Sequence, residues 1–369
     1  MEFKINSKIF EKILSNVIPV IPSKTTNPLL QNFLFDIKDG QLTILATDLE
    51  IFLKTQVNIV SEKNYKFYVP AKLLFETVRA IPDMIISLSL EPNNQLKLTT
   101  DRGVYNLSYF ETSETIELPE IPFDKEINLS FDELKRAIEK TSFAVGDEDM
   151  RPAMNGILLD FTDDGLRFVS TDGHRLVKFV NKTFQSDLRE QYIIPKKAIS
   201  ILSKFLSDGD ITVNLTKTYA QFKLPNLEFI TRLIGEKYPN YNSVIPFEND
   251  NILKIKKQDI QSSIKRMLVF ASDDIKQVKL NIKENEFNIS IHNIDTSSSG
   301  QETIDCQYNG EPMEIGFNVF YLNDIVSHLD SEEIIFKLNS PSKACLIEPG
   351  EVSEKEEILM LLMPVRLNY

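Results

Sequence analysis

The chain has no tryptophan, two cysteines and only 12 glycines in 369 residues. Two cysteines in so long a chain, Cys306 and Cys345, argue against a disulfide framework and fit a reducing compartment, so the cytoplasm is the expected location. So few glycines argue against glycine-rich phosphate loops, and no P-loop or dinucleotide fingerprint is present. No apolar run approaches the roughly 18 residues that a membrane span needs. The N-terminus does not read as a signal peptide, because Lys4 and Lys8 sit in an amphipathic pattern rather than ahead of a long apolar block. His292 and His328 lack cysteine or carboxylate partners at metal spacing, so neither a metal nor a cofactor is expected. Positive charge is also in deficit: 41 Lys and Arg against 54 Asp and Glu leave a net charge of −13. Spread evenly, such an excess of carboxylates would repel nucleic acid.

What the chain does have is repetition. FKINSKIFEKILSNVI near residue 3, INLSFDELKRAIEKTSF near 127 and LKIKKQDIQSSIKRMLVF near 253 each read as a short alternating strand followed by a helix-period run. Thr47-Asp48 recurs as Thr171-Asp172, and Ile121-Pro122-Phe123 as Ile245-Pro246-Phe247, each pair 124 positions apart (47 to 171, 121 to 245). That period is far above the roughly 20–50 residues of a solenoid repeat and is the size of a domain. Each third carries a second strand–helix unit, at 66–82, 191–206 and 313–329, with Pro70 and Pro195 expected at the first position of a helix. Asp39-Gly40 and Asp164-Gly165, set between alternating segments, read as hairpin turns. The expectation is an α+β protein of three similar domains, 1-121, 122-248 and 249-369. Proline-bearing connectors at 117–125 and 236–251 join them and are unlike flexible Gly/Ser linkers.

The distribution of charge reverses the inference drawn from its sum. The expected helices carry Lys8 and Lys12; Lys72 and Arg79; Lys135, Arg136 and Lys140; Lys196, Lys197 and Lys204; and Lys256, Lys257, Lys265 and Arg266. Basic residues outnumber acidic ones there, so the excess carboxylates belong to strands and loops. Lys and Arg are good helix formers, which is the ordinary explanation for any one helix. Five helices of like bias point instead to a positive helical face. Without a basic-aromatic cluster or a recognition-helix signature, such a face would meet phosphates and read no sequence.

The densest polar cluster is Ser170-Thr171-Asp172-Gly173-His174-Arg175-Leu176. A hydrolase centred on Asp172 and His174 is the alternative reading. Residues so close in one turn do not easily reach triad geometry, and a strand–turn–strand corner is the structural alternative. The C-terminal run 359–367 is apolar, and Pro364 should stop strand pairing and leave Val365 and Leu367 as open apolar surface. A methionine-and-proline lip of this kind adapts to peptide side chains.

Taken together, TDGHRL at 171–176, MPVRL at 363–367, MEIGFNV at 313–319, ATDLE at 46–50 and Met154-Asn155-Gly156 give a chain that resembles, over its whole length, the bacterial DNA polymerase III beta subunits, the DNA sliding clamps. The resemblance implies a head-to-tail homodimer closing a six-domain ring, with antiparallel sheets outside and two helices per domain inside. It implies a non-catalytic processivity factor that encircles double-stranded DNA without reading sequence. Its implied partners are the replicative DNA polymerase, the clamp loader and other proteins that carry a short clamp-binding peptide, with no membrane. The partner-peptide pocket would comprise Met154, Thr171, Gly173, His174, Arg175, Leu176, Pro246, Tyr321, Leu361, Leu362, Met363, Pro364, Val365 and Arg366, accept a segment ending in Leu and an aromatic residue, and use Arg175 and Arg366 for polar contacts. The DNA-facing residues would be Lys24, Lys72, Arg79, Lys135, Arg136, Lys196, Lys197, Lys204 and Lys265. Tyr105 and Leu107 would meet Val269 and Phe270 of a second copy. Pro152 and Ala153 after Arg151, Glu148, and the terminal Asn368-Tyr369 depart from the family's pattern; Tyr369 would shade the pocket mouth.

Overall fold

The computed structural model describes the chain except residues 1, 62–63, 113–115, 117, 122–124, 148–149, 206–208 and 368–369. Glu148, Asn368 and Tyr369, and part of the 117–125 connector with Pro122 and Phe123, therefore lie outside the described residues. The principal helices are α1 (Ser7–Val17), α2 (Ala71–Arg79), α3 (Phe131–Thr141), α4 (Lys196–Leu202), α5 (Lys257–Leu268) and α6 (Val319–His328). No helix of the described residues is long and apolar enough to cross a membrane.

Each helix begins directly where a strand ends. Asn6 caps α1, its Oδ1 accepting from the backbone N–H of Lys8 and Ile9 at 3.0 and 3.2 Å. Asn318 caps α6 in the same way, accepting from Phe320 and Tyr321. These side chains satisfy amide groups that the first turn leaves without intrahelical partners. The prolines sit one residue earlier than expected. Pro70 is the cap of α2, and Pro195 closes the strand Gln191–Pro195, so α4 starts at Lys196. Both still pair in the sheet, Pro70 with Asn32 and Pro195 with Gly156.

The strands form antiparallel sheets in two compact units, one made of Met1–Asp132 with Ser200–Leu233, the other of Glu133–Ile199 with Ile234–Tyr369. The division runs through the middle third of the sequence. In the first unit an eight-stranded sheet runs Tyr65–Pro70, Asn32–Lys38, Gln41–Thr47, Ile51–Asn58, Leu227–Arg232, Tyr219–Leu224, Asp210–Leu215, Glu126–Ser130. In the second unit the sheet runs Gln191–Pro195, Gly156–Thr162, Gly165–Thr171, Arg175–Asn181, Glu356–Leu362, Cys345–Pro349, Glu333–Leu338, Asn251–Lys256, then the two-residue Gln307–Tyr308. The first eight strands of the two sheets correspond in order. The starts Asn32, Gln41 and Ile51 recur as Gly156, Gly165 and Arg175, each again 124 positions on. Each unit adds a four-stranded sheet, Glu2–Asn6, Ile85–Glu91, Gln95–Thr99, Val104–Ser108 in the first and Ser298–Asp305, Glu286–Asn293, Gln277–Lys283, Met313–Asn318 in the second.

The hairpin signals lie close to where they were expected. Asp39 and Gly40 both have positive φ (50° and 79°) between the paired Lys38 and Gln41, the geometry of a two-residue primed turn. Gly165 differs: it pairs with Thr162 as the first strand residue, leaving Asp163-Asp164 as the loop. Its backbone approaches Asn181 so closely that an added Cβ would stand 2.2 Å from that carbonyl oxygen.

In the second unit the large sheet is covered on both faces, so consecutive residues of one strand enter different cores. Leu362, Met360 and Val177 join α5 and α6 (Ile260, Ile264, Leu322, Ile325) in one core. Leu361, Leu359 and Leu176 join Tyr238 and Tyr241 of the second connector in another.

Candidate functional site

Thr171 and Arg175 flank a turn that the sequence builds from its own side chains. Asp172 Oδ1 accepts from the backbone N–H of His174 (2.9 Å) and Arg175 (3.0 Å), Thr171 Oγ1 accepts from Gly173 N–H (3.1 Å), and the same hydroxyl donates to the Arg175 carbonyl (2.7 Å). Gly173 has φ +87°, where a Cβ is strained, and an added Cβ would stand 2.8 Å from Arg151 Nη1. Gly173→Ala is expected to lower unfolding free energy by about 1 kcal/mol, measured by urea titration. The first unit makes the same turn with Leu49 at φ 76° and Leu49 N–H bonded to Thr47 Oγ1 at 2.8 Å.

This geometry removes the hydrolase alternative. The Asp172 carboxylate is engaged by two backbone N–H groups and by Arg175 Nε (3.0 Å), while the His174 ring lies against Tyr321, centroids 6.0 Å apart and 25° from parallel. An acid–base pair would need the carboxylate directed at the imidazole.

Arg175 is the centre of the site. Its side chain is 9% exposed, and it donates to Asp172, to Asp324 Oδ2 (2.5 Å) and to the Phe143 carbonyl (2.7 Å). Its guanidinium lies over the Tyr321 ring at 4.4 Å and near the Phe143 ring at 5.3 Å. Three of its five N–H donors are held inside the chain, so it serves as a post for the aromatic wall.

Two patches border this turn. An apolar floor is made by Leu158, Val169, Leu176, Leu346 and Leu361, with Ile234, Ile245 and Ala344 packed on it. The connector is pinned across that face: Tyr241 Oη donates to Asp160 Oδ2 (2.6 Å), Arg167 Nη1 donates to Tyr241 Oη (3.0 Å), and Tyr238 Oη donates to the Val169 carbonyl at 3.4 Å. Burial pushes the Tyr241 hydroxyl up to about 12, so it remains a donor at neutral pH. Pro246 is half-buried beside Ile245, and Met154 half-buried beside Ala153, which joins the floor. The second patch is the wall of His174, Tyr321 and the C-terminal segment. Met363 N–H donates to the His174 carbonyl (2.9 Å), and Met363 is 42% exposed.

Leu362 is a correction. It is one residue from Leu361 and so projects to the opposite face, into the core with α5 and α6. The open apolar surface expected beyond Pro364 is also partly closed. Val365 pairs with Gly316, its N–H donating to the Gly316 carbonyl at 2.9 Å, and both Val365 and Leu367 are half-buried; Arg366 is exposed. Sequence reasoning missed Tyr238, Tyr241 and Ala344. The only signal for the tyrosines was their place in a proline-bearing connector.

Family models cover nearly the whole chain with the N-terminal (1–122), central (128–240) and C-terminal (242–366) domains of the DNA polymerase III beta subunit. The chain belongs to the DNA polymerase III beta subunit family. The beta sliding clamps of Haemophilus influenzae and Escherichia coli K12 are 29% and 28% identical to it, each over 371 residues and 100% of both chains. The solved sliding clamp of Bartonella birtlesii, a complex with griselimycin, is 32% identical with a TM-score of 0.94 over 100% of both chains. Like these clamps, the chain is a non-catalytic processivity factor of DNA polymerase III.

The basic positions of this clamp differ in their surroundings. Lys24, Lys72, Lys135, Lys197, Lys204 and Lys265 are exposed. Arg79 is exposed and paired with Glu76 one turn back on α2, and Lys196 is paired with Asp147 at 2.7 Å. Arg136 departs most from a DNA-facing role. Its Nε and Nη2 reach both Glu356 oxygens at 2.5 Å and Nη1 reaches Asp330 at 3.0 Å, so much of its charge is neutralised within the chain. Among the residues expected at an interface, Tyr105 and Val269 are exposed and Phe270 is half-buried. Leu107 is 3% exposed in the single chain and points into its own core, so it adds no apolar area to an interface.

Proposed function

We propose that two copies of the chain close head to tail into a ring around duplex DNA and hold partner proteins by short peptides seated between the 171–175 turn and the C-terminal segment. The observation that supports closure is a pair of outer strands, each unpaired on one side among the described residues, with complementary surroundings. Val104–Ser108 is the outer strand of one four-stranded sheet, and beside it lies a cavity of about 520 Å³ lined by Thr77, Ile81, Met84 and Tyr105. Ser298–Asp305 is the outer strand of the other, and the Phe270 ring packs against it at Gly300, next to the 81%-exposed Val269. Pairing the two edges satisfies open backbone groups, while Val269 and Phe270 of a second copy supply the apolar contact at the cavity.

In this reading the domains run 1-121, 122-248 and 249-369, sheets lie outside and helices inside. The exposed lysines face phosphates from the hole, so topology rather than tight binding retains the DNA. The partners are the replicative polymerase, the clamp loader and other proteins with a clamp-binding peptide, and the compartment is the cytoplasm. The test is retention on circular DNA. The loaded chain should stay on a nicked circle and leave when the circle is linearised. Changing Lys196, Lys197 and Lys204 to Glu should speed loss from the circle about tenfold. No retention at all would leave a protein-only assembly hub as the better account, and retention that ignores linearisation would mean direct binding to DNA without encirclement.

A further inference from the structure

We infer that Asp324, on α6, is a positioning residue that holds the wall of the peptide pocket in its binding shape; the inference rests on the pocket proposed above. Asp324 lies one turn after Tyr321 on α6, so both face the same neighbour. That neighbour is Arg175, which donates to the Asp324 carboxylate at 2.5 Å while its guanidinium covers the Tyr321 ring at 4.4 Å. The Tyr321 ring in turn stacks on His174. The far side of Arg175 is closed by Phe143, whose carbonyl accepts from Nη2 and whose ring stacks on His328 at 4.1 Å. His328 Nδ1 lies 2.7 Å from the Asp324 carbonyl, so both ends of this α6 face meet the same cluster.

The partners of this cluster come from distant parts of the chain. Arg175 ends one side of the turn, whereas Tyr321 and Asp324 belong to a helix nearly 150 residues later. Stacking of a ring on a guanidinium is only weakly directional. A charged hydrogen bond from the same guanidinium to the same helix fixes the distance and the angle. Without it, Arg175 keeps Asp172 and Phe143, the turn survives, and the tyrosine wall loses its register. Asp324 therefore acts on a bound peptide through Arg175 and Tyr321 rather than by touching it.

Stopped-flow anisotropy with a fluorescein-labelled hexapeptide ending in Leu-Phe tests this, using the full chain. A wall that must first order itself lowers the competent fraction, and apparent affinity falls by that fraction. Asp324→Ala is expected to weaken binding about tenfold, almost wholly through slower association, with dissociation unchanged within about twofold. Asp324→Asn, which keeps an acceptor oxygen and the shape, is expected to recover about half of that loss on a logarithmic scale. If Asp324→Ala does not fold, the slower association of Asp324→Asn decides the matter. Unchanged binding, or a loss carried by faster dissociation, would overturn the inference, the second because it marks direct contact with the peptide. Failure of the unaltered chain to bind would instead sink the pocket itself, and this inference with it.

Discussion

A chain ending at Met363 is expected to lose partner-peptide binding by at least about a hundredfold while it keeps its fold and the proposed dimer. The strand Glu356–Leu362 is paired on both sides, with Arg175–Asn181 and with Cys345–Pro349, and supplies side chains to two cores. None of that depends on residues after Met363. The terminal segment contributes little to the sheet: Val365 makes one bridge to Gly316, and Gln277 Nε2 donates to the Arg366 carbonyl at 3.0 Å. Yet Pro364 and Val365 directly follow Met363, whose N–H is bonded to the His174 carbonyl, so their removal is expected to open one side of the proposed pocket. Apolar anchors near the centre of a small interface carry most of its energy. Fluorescence anisotropy with the labelled hexapeptide and light scattering for the dimer give the two readouts. Normal peptide binding by the shortened chain would place the pocket elsewhere.

Arg175→Ala is expected to destabilise the fold by about 3 kcal/mol, the lower end for breaking a buried ion pair. The removed guanidinium serves Asp172, Asp324 and the Phe143 carbonyl together, and its loss leaves the 16%-exposed Asp172 without its cation. Asp324, at 38% exposure, regains water more readily, which places the value at the lower end. Urea unfolding followed by circular dichroism checks it. Adding Asp324→Ala to Arg175→Ala should cost less than the sum of the two single changes, because the second removes a charge already stranded by the first. Strict additivity would mean that the two side chains do not depend on each other.

Much of this was readable along the chain, and the failures have a common cause. The offset of 124 between Thr47-Asp48 and Thr171-Asp172 survives as matching strands and matching turns, because a repeat in sequence repeats the local hydrogen-bonding problem. Asp39-Gly40 makes a turn wherever it stands between alternating apolar residues. What went astray concerned which way a side chain points once two faces are both buried. Leu361 and Leu362 are equally apolar, and the period of two assigns them to opposite cores only after both covers are known. Leu107 and Tyr105 share a face by the same rule, yet Leu107 is buried and Tyr105 is exposed, which depends on how far the core extends under the strand. Arg175 and Arg136 looked like surface cations because nothing nearby in sequence reveals Asp324, Glu356 or Asp330.

By itself, then, the order of residues determined the threefold repetition, the α+β class, the turn at 171–175 and the family, all of which depend on patterns within a few residues or on their recurrence. Tertiary structure alone decided which leucines share the apolar cluster beside the turn, that Tyr238 and Tyr241 are pinned across it, and that Arg175 is an internal post held by α6. Those outcomes are set by contacts between segments far apart in the chain, where burial and a carboxylate's position in space, not its place in the sequence, determine what a side chain does.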